Sequence, residues 1–225
     1  MSTSSTHRDA APTSYPPAPW ALNGQQYVSL WLVPTARCTY RLDPLLEPIT
    51  LAGRYIVVTG FVDYQEGSVL RYGESFGGLV TRHPASKTSG LTITHIWVDS
   101  ESSMYGGREL WGIPKELARF ELATTLPGAF TAWDTQGRKL MQAWFKPGPG
   151  LRRSVNVQAT SLQIRRGQVI SPEPALSCSP ALLKSEWSIP TDSPMAELGV
   201  SSGSPWMSFW ARDFKLSLPV AVPIG

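Results

Sequence analysis

The amino-acid sequence predicts a mainly β domain whose strands form an antiparallel barrel or closed sandwich. Three observations support this prediction. Short runs with the alternation typical of strands recur along the chain, turn-forming residues separate them, and the composition includes twenty prolines and nine tryptophans. Helical periodicity is confined to one or two short segments, so an alternating βαβ arrangement is not expected.

The strand-like runs begin at Trp20 and follow one another closely. Residues 26–33 form a strong strand pattern, and residues 53–63 are nearly all apolar or β-branched, which indicates burial on both faces. Residues 68–81 predict a strand pair that glycines interrupt, as at a bulge. Residues 91–98 alternate clearly and predict a half-buried strand.

The second half of the chain continues this pattern after one helical segment. A short helix is expected at 114–119, because proline is well tolerated in the first turn of a helix. The segment 171–194 is rich in proline and serine and predicts a surface wrap with a helical turn at 181–184. The remaining strands are predicted at 120–124, 129–135, 139–145, 155–164 and 205–219.

Length and composition indicate one domain over residues 20–225, since 225 residues with 42% hydrophobic residues can bury a sizeable core. Residues 1–19 are rich in Ser, Thr, Ala and Pro and lack an apolar h-region, so they predict a disordered arm and not a secretory signal. No apolar run approaches the length of a membrane span. The net charge of +3 gives no strong reason to expect a nucleic-acid partner.

The two cysteines, Cys38 and Cys178, lie far apart and match no metal-binding spacing. They are interpreted as thiols of a reducing compartment, which predicts a cytoplasmic location, although a single disulfide stays open as an alternative. With three histidines in the chain, no zinc pattern is present.

The most informative segment is 105–120, in which Lys115 directly follows a proline and which apolar runs flank on both sides. Lysine is rarely buried unless it is paired or used. In an apolar pocket desolvation disfavours the ammonium, and a neutral amine can attack a carbonyl group. Lys115 is therefore the leading catalytic candidate, and the alternative is a surface lysine on a short helix.

This segment resembles the active-site segment of the acetoacetate decarboxylase family: Gly107-Arg-Glu-Leu, three residues, then Pro114-Lys115. A second short match is Tyr72-Gly-Glu-Ser75. The resemblance implies a cone-shaped antiparallel β-barrel wrapped by a second sheet, and a lysine that forms a Schiff base with a β-keto acid. It also implies that Glu74 is a pocket glutamate, that no bound cofactor is needed, and that the protein assembles as a homo-oligomer.

Three positions depart from the family pattern. Glu116 stands where a second lysine is common, and an opposite charge there would raise the pKa of the amine. On the predicted helix Glu116 need not touch Lys115, and the helix N-terminus would disfavour an ammonium. An approximate alignment puts Gln25 in place of a carboxylate-binding arginine and Val57 in place of a second glutamate. We therefore expect the substrate to be a carbonyl compound that is larger and less charged than acetoacetate.

The other residues of the motif are candidates for shaping the site. Arg108 and Glu109 would form a buried ion pair that fixes the loop presenting Lys115. Trp111 lies inside the motif and is the best candidate for a pocket wall, while Trp97 is a core residue by default and a further pocket candidate. Glu74 faces either the pocket or a neighbouring arginine on its strand.

The leading functional hypothesis is a lyase in which Lys115 condenses with a carbonyl intermediate of secondary metabolism and Glu74 shuttles protons. The iminium ion would accept electrons in decarboxylation or in aldol and dehydration steps. One alternative is a cyclase or isomerase in which Lys115 stays an ammonium and the cavity orients the substrate without a covalent bond. Another is a barrel that binds a small molecule without turnover.

Overall fold

The computed structural model describes residues 14–201 and 203–224. In these residues the chain forms one α-helix, α1 (Glu101–Trp111), and two short 3₁₀ helices, Thr35–Arg37 and Pro194–Leu198. The same residues form sixteen strands: β1 (Trp20–Pro34), β2 (Glu47–Pro48), β3 (Thr50–Leu51), β4 (Arg54–Tyr64), β5 (Tyr72–Arg82), β6 (Ser89–Val98), β7 (Lys115–Leu117), β8 (Arg119–Leu122), β9 (Gly128–Trp133), β10 (Lys139–Gly150), β11 (Val155–Gln158), β12 (Gln163–Arg165), β13 (Gln168–Ser171), β14 (Ala175–Ser188), β15 (Met207–Leu218) and β16 (Val222–Pro223).

Thirteen strands belong to one large sheet, whose main path runs β7-β6-β5-β4-β1-β15-β14-β10-β9-β8. The short strands β2, β3 and β11 pair with β5, β4 and β14. Strands β6 and β7 are parallel, whereas the other ladders of this sheet are antiparallel. Strands β12, β13 and β16 form a second sheet. The mainly β fold predicted from the sequence is confirmed.

The large sheet is not closed by hydrogen bonds as a complete barrel would be. Among the described residues no ladder joins β7 and β8, the two ends of its main path. These strands are consecutive in the chain with only Ala118 between them, and the Ala118 N–H donates to the Val98 carbonyl at 2.9 Å. The two ends of the sheet therefore meet through the chain itself.

The strands bury two large hydrophobic cores, besides a small cluster of Leu46, Leu162 and Val169, and adjacent residues of one strand contribute to different large cores. This division follows from the alternation of side chains along a strand. The first core includes Tyr27, Trp31, Val57, Phe61 and Trp97. The second core includes Trp20, Val58, Phe76, Ile96 and Trp111.

Two helical predictions are wrong. The segment 114–119 contains strand β7 and the start of β8, and the helix of this region lies upstream, at α1. Segment 181–184 lies within strand β14. This strand forms ladders with the long strands β10 on one side and β15 on the other, which keeps the segment extended. Local sequence favoured a turn there, but the ladders of the sheet satisfy the backbone better.

Residues 14–19 of the N-terminal segment pack against the rest of the chain. Most of the predicted arm, residues 1–13, lies outside the described residues. Of the rest, the Ser14 carbonyl accepts a hydrogen bond from Ser102 Oγ of α1 at 3.0 Å. The Pro16 carbonyl accepts one from the Trp20 indole at 2.9 Å. Residues 14–19 thus contact the domain.

Cys38 and Cys178 are both free, in agreement with thiols and not with the disulfide alternative. No helix in the described part of the chain has the length and apolar character needed to cross a membrane.

Candidate active site

Helix α1 and its C-terminal turn bring Lys115 into the domain. Ser100 caps the helix, since its side chain accepts a hydrogen bond from the Ser103 N–H. The helix ends at Gly112, which has φ +63° and whose added Cβ would lie 2.6 Å from the Ile164 carbonyl oxygen. Glycine alone fits that left-handed, crowded position, so the chain can leave the helix and return as β7.

The glycine pair of the motif lies inside α1 and not in a turn. A Cβ at Gly106 would lie 2.6 Å from the Trp20 ring, and one at Gly107 would lie 2.6 Å from Cδ of Lys115. The absence of side chains at these two positions lets the helix pack directly against the lysine stem. The Gly-Gly sequence therefore creates space for Lys115.

Lys115 and Glu116 point to opposite sides of β7. Lys115 is 4% exposed, whereas Glu116 is exposed to solvent. Because consecutive residues of a strand alternate between its faces, the strand directs the Glu116 carboxylate away from Lys115. The predicted helix, and the helix dipole invoked to disfavour an ammonium at Lys115, have no counterpart in the structure.

The buried Lys115 side chain is held by three oxygen atoms. Its Nζ lies 2.9 Å from Glu74 Oε2, 2.9 Å from Ser103 Oγ and 3.2 Å from the Tyr72 hydroxyl. An ammonium has three N–H donors, so each donor has an acceptor. Glu74, which is 5% exposed, also accepts hydrogen bonds from the Tyr64 hydroxyl at 3.2 Å and the Tyr72 hydroxyl at 3.4 Å. Lys115 and Glu74 thus meet in one satisfied, buried network.

The charge state of Lys115 differs from the expectation of a neutral amine. Desolvation by burial lowers the pKa of Lys115, but the Glu74 carboxylate, Tyr72 and their hydrogen bonds outweigh it, so that this pKa is raised above its ordinary value of 10.5. Without substrate, Lys115 is an ammonium that forms an ion pair with Glu74. The predicted lowering of this pKa is reversed because Glu74, not Glu116, supplies a buried opposite charge next to the amine.

Both tyrosines of the network are neutral hydroxyl donors at physiological pH. Burial raises the pKa of Tyr72 to about 12, an effect that the charge of Lys115 partly offsets. Burial and the nearby Glu74 carboxylate raise the pKa of Tyr64 well above its usual value. Two phenols and a hydroxyl therefore surround the ion pair with groups that can pass protons.

A cavity of about 150 Å³ opens beside the ion pair. It is smaller than the pockets of drug-sized ligands, which span roughly 300–1,000 Å³. Lys115 and Glu74 are the charged residues among those described on its walls, and Gln26, Ser161 and Gln163 add polar groups. Most of its wall is apolar or aromatic, as represented by Trp20, Phe76, Ile96, Trp111, Ile113 and Leu216.

The motif residues have different positions around this cavity. Trp111 is 1% exposed, lines the cavity and donates its indole N–H to the Pro219 carbonyl at 2.7 Å. The predicted buried pair of Arg108 and Glu109 is wrong, because both are exposed and no ion pair joins them in the described chain. Arg108 instead donates to the Lys115 carbonyl at 2.6 Å and so fixes the lysine backbone.

Three expected pocket residues lie elsewhere. Val57 and Trp97 are buried in the first core, on the face of their strands away from the cavity. Gln25 is held by Asp213 and Trp210, at 2.8 Å and 2.9 Å. Its neighbour Gln26 lines the cavity. A shift of one residue along a strand exchanges its faces, which an approximate alignment cannot resolve.

Sequence reasoning missed Tyr64, Tyr72 and Ser103 as members of the site. Tyr72 could have been found, since it lies two residues before Glu74 and so shares its face of the strand. Tyr64 pairs directly with Tyr72 across β4 and β5, but that register is set by the folded sheet. Ser103 lies twelve residues before Lys115 on a helix that the sequence did not predict.

Comparison with protein families gives one match over most of the chain. The family model described as acetoacetate decarboxylase matches residues 2–176. A curated relative, acetoacetate decarboxylase 1 of Bradyrhizobium diazoefficiens, is 32% identical over 124 residues, which cover 47% of this chain and 41% of that protein. The match to this relative thus spans about two fifths of its length.

Solved structures share the fold over nearly the whole chain. An acetoacetate decarboxylase from Legionella pneumophila has a TM-score of 0.72 and 14% identity, with 100% of this chain and 98% of that chain covered. The enduracididine biosynthesis enzyme MppR, complexed with the condensation product of pyruvate and imidazole 4-carboxaldehyde, has a TM-score of 0.64 and 15% identity, covering 96% and 92%. At these identities the likeness shows the fold.

Proposed function

Because the chain belongs to the acetoacetate decarboxylase family, we propose that it is a lyase-type enzyme in which Lys115 forms a Schiff base with a carbonyl substrate. The observation that carries the proposal is the buried contact of 2.9 Å between Lys115 Nζ and Glu74 Oε2 beside an apolar cavity. A solved neighbour holding a condensation product of two carbonyl compounds is consistent with carbonyl chemistry in this fold.

Glu74 is the base that can deprotonate the Lys115 ammonium of the resting enzyme. In a cavity that excludes water, the ammonium transfers one proton to the Glu74 carboxylate as the substrate enters. The neutral amine adds to the ketone carbon, and a proton moves from nitrogen to the former carbonyl oxygen. The carboxylic acid of Glu74 then protonates that hydroxyl, water leaves, and the nitrogen lone pair forms the iminium bond.

The iminium ion then serves as an electron sink. For a β-keto acid, the bond to the carboxyl group breaks, its electron pair forms the enamine, and carbon dioxide leaves. Protonation of the enamine carbon and addition of water return the ketone and the free lysine. The same cation supports aldol and dehydration steps. Because the cavity walls are mostly apolar, the expected substrate is a carbonyl intermediate of modest polarity.

Borohydride trapping tests this proposal. Wild type is incubated with a panel of β-keto acids and larger β-dicarbonyl compounds, reduced, and analysed by peptide mass. A substrate-sized adduct on the Lys115 peptide is expected, absent in Lys115→Ala and retained in Lys139→Ala, which removes an exposed lysine. Substrate turnover without any adduct on Lys115 would reject the Schiff base.

A second candidate function follows because each N–H donor of the Lys115 ammonium already has an acceptor, on Glu74, Ser103 or Tyr72. In that case Lys115 remains charged and stabilises a developing enolate, and the cavity acts as a cyclase or isomerase without a covalent bond. The variant Lys115→Arg distinguishes the non-covalent mechanism from the Schiff base, because a guanidinium supplies the charge but cannot form the imine. Turnover by this variant would support the non-covalent mechanism, and loss of turnover would support the Schiff base.

A further inference from the structure

The cavity contains a hydroxyl group that the Lys115 network does not use. Ser161 lines the cavity, and its Oγ atom is buried with no hydrogen-bond partner among the described residues. Among the described residues, Ser161 Oγ is the one buried side-chain nitrogen or oxygen that lacks a hydrogen-bond partner. Because buried polar atoms are nearly always hydrogen-bonded, an unpaired hydroxyl in a cavity wall points to a ligand oxygen or nitrogen.

The backbone around Ser161 is held in place. The Leu91 N–H donates to the Thr160 carbonyl at 2.9 Å, and the Leu162 N–H donates to the Leu91 carbonyl at 3.0 Å. Leu162 itself is fully buried. The segment on either side of Ser161 is thus anchored along the edge of β6, which presents the hydroxyl at a fixed position on the wall.

The two glutamines of the cavity differ in what they offer. Gln163 faces the Ile93 backbone, and with its amide turned so that oxygen and nitrogen exchange places it accepts from the Ile93 N–H at 2.8 Å and donates to the Ile93 carbonyl at 3.3 Å. The half-buried Gln26 also lines the cavity, and within the described chain its side-chain amide has no hydrogen-bond partner. Gln26 and Ser161 are therefore the neutral groups available to a bound molecule.

The described residues of the cavity wall leave no cation free for a substrate carboxylate. Among the described wall residues the charged ones are Lys115 and Glu74, which form an ion pair with each other at 2.9 Å. A carboxylate placed beside them would be buried without its own counter-ion, which is unfavourable. A neutral oxygen facing Ser161 and Gln26 has no such penalty.

We infer that the cavity takes a neutral dicarbonyl compound, such as a β-keto ester, amide or diketone, whose second oxygen is bound by Ser161 and Gln26. This inference rests on the proposed function, since it takes the first carbonyl to face Lys115. Ser161 and Gln26 are specificity-determining residues: they select a second hydrogen-bonding group without charge. Losing one such bond lowers affinity about 3- to 10-fold.

The test compares three ligands of similar size: acetoacetate, its methyl ester, and a straight-chain methyl ketone of equal length. Affinities are measured by quenching of tryptophan fluorescence, because Trp20 and Trp111 line the cavity. The proteins are wild type, Ser161→Ala, Gln26→Leu, and Thr160→Ser as a control on the same segment with its side chain outside the wall. Borohydride trapping is run separately on the same samples.

Wild type is expected to bind the ester more tightly than acetoacetate or the plain ketone. Ser161→Ala and Gln26→Leu should each lose about 3- to 10-fold for the ester and remain unchanged for the plain ketone, whereas Thr160→Ser keeps both affinities. Equal or tighter binding of acetoacetate, or an ester affinity insensitive to both variants, would overturn the inference even if trapping succeeds. Failure of trapping with Ser161-dependent ester binding would instead reject the Schiff base and keep the neutral anchor.

Discussion

The Glu74 carboxylate lies 2.9 Å from Lys115 Nζ, across strand β6, which separates the two strands that carry these residues. Their side chains are 7% and 5% exposed, so the contact is screened little by water. The same arrangement holds the resting lysine protonated and provides the base that can deprotonate it. Stability and proposed chemistry therefore depend on the same pair.

Removal of Lys115 alone should destabilise the protein strongly. Lys115→Met leaves Glu74 buried without its cation, and breaking such a pair typically lowers the free energy of unfolding by about 3–5 kcal/mol. The double variant Lys115→Met/Glu74→Leu should recover most of that loss, because no charge is left buried. Urea unfolding of wild type, Lys115→Met, Glu74→Leu and the double variant measures the coupling free energy between the two side chains. A Lys115→Met protein as stable as wild type would contradict the buried pair.

The stability contributed by Lys115 should disappear at alkaline pH. Because the folded state raises the pKa of Lys115 above 10.5, the contribution is fully present below pH 10.5 and is lost as pH rises through the higher folded value. The free energy of unfolding of wild type minus that of Lys115→Met/Glu74→Leu, which leaves no buried carboxyl group to titrate, is expected to be constant from neutral pH to that point and to fall above it. A difference that grows with pH would mean that the lysine is neutral in the folded protein.

Gly107→Ala should impair chemistry through the lysine stem. The added methyl would lie 2.6 Å from Cδ and 2.8 Å from Cε of Lys115, so the side chain must move from Glu74. We expect the rate of imine trapping to fall by more than about tenfold, since misplacement of a reacting group by about 1 Å can cost a hundredfold. Tyr105→Ala, at an exposed position of the same helix, is the control. Unchanged trapping in Gly107→Ala would show that the stem has room to spare.

Neutralising Glu116 should have little effect on the site. Glu116→Gln changes a solvent-exposed carboxylate on the opposite side of β7 from Lys115. The pH at which trapping is half-maximal should stay within about 0.3 units of wild type, because an exposed charge is well screened. Glu74→Gln, which removes the charge at 2.9 Å, should lower that pH clearly. A shift in Glu116→Gln as large as in Glu74→Gln would mean that Glu116 acts on the amine.

Ser161→Ala should stabilise the protein. Its Oγ is buried without a partner, and an unsatisfied buried hydroxyl costs at least about 1 kcal/mol, so its removal should raise the free energy of unfolding by about that amount. Thermal unfolding of Ser161→Ala beside Thr160→Ser measures the gain. A lower melting temperature in Ser161→Ala alone would show that the hydroxyl already has a stabilising partner.

Much of the fold followed from local patterns. The alternating run 91–98 corresponds to β6, and the apolar run 53–63 corresponds to β4, whose centre is buried on both faces. The helical predictions failed where tertiary contacts overrode local preference. Gly106 and Gly107 resemble a turn in sequence, but they lie inside α1 because the helix needs small residues against Trp20 and Lys115.

Periodicity along the chain was enough to predict the mainly β character, and two short motifs that resemble the family made Lys115 and Glu74 candidates, because these are local features. What surrounds the two residues is set by the tertiary structure. The strand at Lys115 turns Glu116 outward, the register between β4 and β5 aligns Tyr64 with Tyr72, and the chain beside β6 brings Ser161 to the cavity. These contacts join residues distant in sequence, and their distances set the charge of the lysine and the character of its cavity.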